Sequence, residues 1–283
     1  MGLLSIEETA QLKSPRVTIH GTAGIGKTTL ASKMKNPIFL CLEDGLGTLS
    51  VKHFTFKDSE KSKKVRHIAK TWAEVMESLE WLLDNDHEYN TLVIDTIDWL
   101  EPVLFQAVCD KMGYKSIDAP TFGKGYSDAQ RTFRSEFISH TNALRDQKGM
   151  MIVNIAHTHI KKFEDPETET YDRYELKLNR KIADLLMENS DIVFFMTYKK
   201  GTVKTQSGKV KTSTGDVVLY SKETASYLAK NRYQLDHELE PDWAKISKQI
   251  RDNAKANAEG VPIKKEEPKA EAEDETTTED DAA

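Results

Sequence analysis

Gly21-Thr22-Ala23-Gly24-Ile25-Gly26-Lys27-Thr28 reads G-x-x-x-x-G-K-[ST], the pattern of a phosphate-binding loop. Its surroundings suit the pattern. Arg16 to His20 (RVTIH) is a short β-rich run that can feed the loop, and Thr29 to Met34 (TLASKM) is helix-compatible. In a strand–loop–helix unit the glycines let the backbone wrap a phosphate chain, and loop N–H groups face its negative charge. Residues 21–28, with Thr29 behind them, are thus the expected nucleotide contacts. Lys27 would reach the β- and γ-phosphates and the Thr28 hydroxyl would help hold Mg²⁺. The motif implies a nucleoside triphosphate; what is done with it must be read elsewhere.

Outward from the loop, apolar runs recur. Pro37 to Leu42 (PIFLCL) ends in Glu43-Asp44-Gly45. Thr91 to Asp95 (TLVID) ends in an acid, Met150 to Ala156 (MMIVNIA) ends at His157, and Asp191 to Thr197 (DIVFFMT) is a fifth run. Helical stretches separate them. Thr71 and Glu74 form a capping box ahead of Trp72, Val75, Met76, Leu79, Leu82 and Leu83. A helix is expected near 97–112, another capped by Asp128 with Phe133, Phe137, Thr141 and Leu144 on one face, and another at 178–189. Apolar strands alternating with helices predict an α/β fold: a mostly parallel sheet covered on both faces. Residues 54–70 and 158–177 read as polar excursions, 198–220 as hairpins with Gly-containing turns, and 241–258 as a last helix. The expected divisions are a lead at 1–15, an ATPase core at 16–240, that helix, and a disordered acidic tail at 259–283.

Composition bounds the class. The 283 residues are 30% charged and 38% hydrophobic, polar but globular. Residues 264–283 carry nine acids and three bases, a net of −6 equal to that of the whole chain, so residues 1–263 are formally neutral. No apolar run approaches a membrane span and no secretory signal precedes the fold. Cys41 and Cys109 are the two cysteines, far apart, which suits a reducing cytoplasm and no disulfide framework.

Ligands of such sheets sit at the C-terminal ends of the strands. Gly26, Glu43, Asp95 and His157 all fall there. Asp95 is the natural second group for the Mg²⁺ shell. Hydrolysis also needs a group that activates water. AAA+ proteins place a Glu directly after this Asp; here Thr96 stands there, and Glu43 is the candidate, on a strand expected to neighbour the P-loop strand. His157 is the candidate γ-phosphate sensor. His157 and His159 alone are a weak metal signal.

Two of these pieces, Glu43 at a strand end and a polar residue closing strand four, resemble the RecA family, where the fourth-strand residue is usually Gln. Lys230-Asn231-Arg232-Tyr233 looks like the K-N-R-F stretch of the RadA branch. Together they make the chain similar to short phage-type RecA-like ATPases, AAA-like ATP-binding proteins linked to single-strand annealing and recombination. The resemblance covers about residues 15–240. It implies ATP and Mg²⁺ as cofactors and catalytic roles for Glu43, Lys27 and His157. It further implies Lys230 and Arg232 reaching a neighbouring subunit's ATP within a ring or filament. Single-stranded DNA binding is implied too, in the cytoplasm of a bacterial host if the chain is phage-encoded. By position, the first DNA loop would carry Tyr114, Lys115, Phe122, Lys124 and Tyr126. The second would carry Lys161, Lys162, Arg173, Lys177 and Arg180, with Lys199 and Lys200 on a third stretch. The acidic tail would compete with DNA or recruit a single-strand-binding protein. A small-molecule or nucleoside kinase and a non-hydrolysing ATP-dependent scaffold are the alternatives; Arg173 and Arg180 alone make a thin lid for a kinase.

Overall fold

A computed structural model describes residues 13–58, 62–166, 169–204 and 210–263; the lead before residue 13 and the acidic tail from 264 lie outside the described residues. Strand β1 (Arg16–Gly21) enters the P-loop and α1 (Lys27–Ser32) leaves it. Then come β2 (Pro37–Cys41), β3 (Lys52–His53), the small antiparallel pair β4 (Phe56–Lys57) and β5 (Val65–Arg66), and α2 (Trp72–Asp84). Next are β6 (Thr91–Asp95) and α3 (Ile97–Met112), followed by α4 (Lys124–Thr132), which runs through a π-helical turn into α5 (Ser139–Lys148). The chain continues with β7 (Met151–Phe163), β8 (Tyr171–Leu176), α6 (Arg180–Asn189), β9 (Ile192–Lys204) and β10 (Val210–Tyr220). It closes with β11 (Lys230–Asn231), β12 (Glu238–Leu239) and α7 (Trp243–Ala258).

The main sheet runs β12-β10-β9-β1-β7-β6-β2-β3, parallel from β9 to β3 and antiparallel beyond β9. This is the mostly parallel, helix-covered P-loop sheet that the alternating runs predict. Its central strands are buried on both faces: β6 and the first half of β7 read as apolar runs, and β1 buries Thr18 and His20 among its apolar residues. One face packs on α2, α3, α5 and α6, with Leu79, Leu104, Phe133, Phe137 and Ile182 in its core. The other packs on α1 and α7 through Leu30, Trp243, Ile246 and Ile250. Thr71 accepts from the Glu74 N–H at 3.3 Å and the Glu74 carboxylate returns to the Thr71 N–H, so the capping box at the start of α2 forms as read.

Four expectations are corrected. First, β2 does not neighbour the P-loop strand; β6 and β7 stand between them. Second, residues 158–177 are not an irregular excursion. β7 runs past the sheet to Phe163 and returns as β8, pairing Thr158 with Leu176 through Phe163 with Tyr171. Third, Asp128 does not cap the long helix. Gly123, at φ 65°, is the N-cap, and Asp128 lies a turn inside, buried, accepting from the Tyr114 hydroxyl at 2.8 Å. The helix therefore takes up Lys124 and Tyr126, which had been expected in the preceding loop. Fourth, 198–220 holds one long antiparallel hairpin, β9 with β10, rather than several: the turn read at QSGK lies outside the described residues, and the STGD stretch is a register shift within β10 instead of a second turn.

Candidate active site

The P-loop is shaped by what surrounds it. At Gly21 a Cβ would lie 2.3 Å from the Met196 carbonyl oxygen of β9, so only glycine lets β1 and β9 close at this level. Gly24 and Gly26 hold φ at 74° and 104°, the left-handed turns that coil the loop into α1. The Lys27 ammonium is folded into the loop, donating to the Gly21 and Thr22 carbonyls at 3.0 and 2.8 Å. Burial lowers its pKa, against the pull of Asp98, Asp95 and Glu43. A phosphate chain in the loop would give that ammonium a charged acceptor in place of two neutral carbonyls.

Asp95 closes β6 and is 2% exposed. Its Oδ2 accepts from the Thr28 hydroxyl at 2.9 Å, and its Oδ1 is buried with no hydrogen-bond partner among the described residues. Burial pushes its pKa up to about 6. A bare, desolvated carboxylate oxygen beside a P-loop threonine is what a hard divalent cation would complete. Mg²⁺ demands few protein ligands when substrate phosphates and waters supply the rest, so Thr28 and Asp95 fit it. Among the described residues no group of three or more His, Cys, Asp or Glu is placed to hold a metal.

Glu43 follows β2. Although two strands, β7 and β6, separate β2 from β1, Glu43 lies within the field of Lys27, Asp98 and His157. Burial raises its pKa, and His157, Lys27 and the nearby Trp99 side chain oppose the rise. A carboxylate with a raised pKa accepts a proton more readily than an exposed one.

His157 ends the sheet portion of β7. Asp98, in the first turn of α3, accepts both from the His157 backbone N–H at 2.9 Å and from its Nδ1 at 2.8 Å. Asp98 escaped the sequence reading because its partner is 59 residues away and is brought to it by the pairing of β6 with β7. The one available signal was an acid three residues after Asp95 in the same strand–helix turn. With Nδ1–H committed to Asp98, Nε2 is the ring nitrogen left for chemistry.

The remaining expected residues fall elsewhere. Lys230 donates to the Met187 and Glu188 carbonyls at the end of α6, and Arg232 pairs with Asp191 at 3.1 Å. Both sit beside the start of β9, at the opposite end of the parallel strands from the P-loop. The Tyr114 and Tyr126 hydroxyls are held by Asp128 and Asp118. Lys115, Phe122 and Lys124 are exposed, Phe122 fully, at φ 55° on a loop tip. Lys162 and Lys177 are exposed; Lys161 pairs with Glu175 at 3.6 Å and Arg180 with Asp184 at 3.8 Å. Arg173 is buried and ion-paired with Glu223, so it presents no free guanidinium at the surface. Lys199 pairs with Glu238 at 2.8 Å, and the Lys200 side chain lies outside the described residues.

A glycine-coiled loop on a buried parallel strand, an acid on its hydroxyl and a second acid in its field define a P-loop NTPase. The comparison with families agrees: a family model described as AAA domain matches residues 13–233, most of the chain, and the chain belongs to that family. It is similar to the SPbeta prophage-derived uncharacterized protein YorG of Bacillus subtilis (strain 168), 23% identical over 226 residues. That match takes in 78% of this chain and 60% of the relative, so the chain spans about three fifths of that protein's length. Among solved structures, the RadB recombinase aligns with 74% of this chain and 81% of its own, at 11% identity and a TM-score of 0.38. Flagellar accessory protein FlaH of Methanocaldococcus jannaschii aligns with 77% and 87%, at 9% identity and a TM-score of 0.31. Likeness at that level does not extend to activity or partner. No helix among the described residues is long and apolar enough to cross a membrane.

Proposed function

We propose that the chain hydrolyses ATP with Mg²⁺ and binds single-stranded DNA, promoting annealing or homologous recombination for a phage. The observation that carries the hydrolytic part is the convergence of Lys27, Thr28, Asp95, Glu43 and the Asp98–His157 pair at the strand ends. Lys27 neutralises phosphate charge, and Thr28 with Asp95 would hold the metal, which supplies charge stabilisation at the phosphates. Glu43 takes the proton of the attacking water, and His157, oriented by Asp98, hydrogen-bonds the terminal phosphate.

The DNA part is supported by an aromatic ring standing fully in solvent between two lysines, Phe122 with Lys115 and Lys124. Such rings serve as stacking platforms, with basic side chains tracking the backbone. The Lys181 ammonium on Ser127, at 2.6 Å, ties this loop region to the start of α6 and so to the β7–β8 hairpin with its Lys162 and Lys177. A prophage-derived relative supports the phage setting. Assembly of copies belongs to this reading through the resemblance of the stretch from Lys230 to Tyr233 alone: Lys230 and Arg232 are bonded to α6 carbonyls and Asp191 in their own fold, and would have to leave those partners to reach ATP in a neighbouring subunit.

The test is ATP turnover with and without single-stranded DNA, in the wild type and in Lys27→Ala. DNA-stimulated turnover that Lys27→Ala abolishes is expected. Turnover indifferent to DNA would overturn the DNA part and point to a small-molecule acceptor. DNA binding without turnover would remove Glu43 from its role.

A further inference from the structure

Between the β7–β8 hairpin and α6 lies a cavity of about 560 Å³, separate from the P-loop. That volume is in the range of small-molecule sites. Its apolar lining comes from Leu176, Leu178, Met187 and Leu228, and Lys162 and Arg180 line it as exposed cations.

The unusual member is Arg173. It lines this cavity yet is only 6% exposed. Its guanidinium lies 4.9 Å from the centroid of the Phe163 ring, one end paired with Glu223. Its Nε is buried and has no hydrogen-bond partner among the described residues. A buried cationic N–H left without an acceptor is costly, and native folds keep such groups where a ligand or solvent completes them. An arginine already stacked on one aromatic face and fixed at one end is pre-organised to receive an oxyanion on the Nε side. Lys161 is matched by Glu175 and Arg180 by Asp184, and the rim carries the exposed Lys162 together with the exposed Glu164, so the anion seat rests on Arg173 and not on a surplus of cations. An apolar seat beside an incompletely satisfied buried guanidinium suits a flat ring carrying a phosphate.

We propose that this cavity is a second binding site that takes one nucleotide unit, its phosphate on Arg173 and its base against the apolar lining. The unit is a residue of a DNA strand or a free mononucleotide. The strand source rests on the DNA reading above; the free source does not.

The test saturates the P-loop with a non-hydrolysable ATP analogue and Mg²⁺. Deoxythymidine 5′-monophosphate is then titrated by calorimetry, and fluorescein-labelled oligothymidylate by anisotropy. Arg173→Lys keeps the charge and removes Nε and the planar fork. Ala183→Phe fills the cavity from α6 without touching a charge, and serves if Arg173→Lys melts early. Both variants are expected to bind the mononucleotide and the oligonucleotide about ten- to a hundredfold more weakly than the wild type. Wild-type affinity for both probes in both variants overturns the site. If the variants hold the oligonucleotide normally, DNA binding stands and the cavity is not its seat. A mononucleotide bound in a variant-sensitive way, with no oligonucleotide bound, upholds the cavity and removes the strand. If the wild type binds neither probe, both readings fall.

Discussion

Asp95 is held in an unfinished state. One carboxylate oxygen takes the Thr28 hydroxyl and the other has no partner among the described residues, inside a site that raises its pKa to about 6 by burial. Because the raised pKa favours the protonated form, protons and Mg²⁺ compete for the same oxygens. Above about pH 6 the carboxylate is ionised and the metal displaces no proton. Below it, apparent Mg²⁺ affinity should fall by up to about tenfold per pH unit. Mg²⁺-dependent binding of a fluorescent ATP analogue from pH 5 to pH 7.5 measures this. Asp95→Asn supplies the baseline that carries the nucleotide's own titration. Equal pH slopes in the two proteins would show that Asp95 is not the ligand. Asp98 acts one step back, through His157. Asp98→Asn keeps the shape but removes the charge that holds Nδ1–H. Turnover should drop about tenfold or more at unchanged nucleotide affinity. Adding it to His157→Ala should cost nothing further, since both remove one unit. Additive losses would mean that Asp98 acts independently of the imidazole.

At the scale of the element, β1 and β9 meet at a point where no side chain fits. Gly21→Ala would press a methyl onto the Met196 carbonyl, a backbone atom that cannot swing away. Chemical denaturation should show a loss of about 1–3 kcal/mol, and nucleotide affinity should fall with it because the loop begins there. Unchanged stability would mean that β9 yields freely. The central elements were legible in the sequence because each carries its own instruction: the glycine motif that follows β1, the apolar runs of β6 and β7, and Thr71 with Glu74 for the start of α2. The β7–β8 hairpin was not. It leaves the sheet, buries little of its surface beyond His157 and so has no apolar run to announce it. The start of α4 was misread for a related reason. Asp128 has the composition of a cap, but tertiary contact with Tyr114 claims it. Strand order was illegible as well: nothing local in β2 says that β6 and β7 will separate it from β1. Yet Glu43, placed on a mistaken adjacency, still shares the field of Lys27, because all the parallel strands end on one side.

Across the whole molecule, the P-loop and the hairpin are joined through His20, the residue just before Gly21. Its ring is fully enclosed, and burial lowers its pKa to about 4, so it is neutral at physiological pH. Nε2 therefore donates to the Leu228 carbonyl at 2.8 Å, while Nδ1 faces the Thr158 hydroxyl at 3.4 Å. Leu228 in turn donates its N–H to Tyr174 of β8 at 3.0 Å, and Thr158 donates to the Glu175 carbonyl at 2.9 Å. Aromatic contacts double the connection: His20 on Phe195 at 5.1 Å, and Phe195 on Tyr174 and Tyr227 at 5.1 and 5.0 Å. A phosphate that settles the P-loop thus settles the residue to which the hairpin and the cavity wall at Leu228 are fastened. Amide exchange in 158–163, 171–176 and 224–228 should slow when an ATP analogue binds, and His20→Gln should break the link while leaving the P-loop amides protected. The stored links are short and mostly hydrogen-bonded, so the slowing should exceed that of α2, which lies on the far side of the sheet order from β1. Protection confined to the loop, or equal slowing in His20→Gln, would mean that nucleotide and hairpin act without reference to each other.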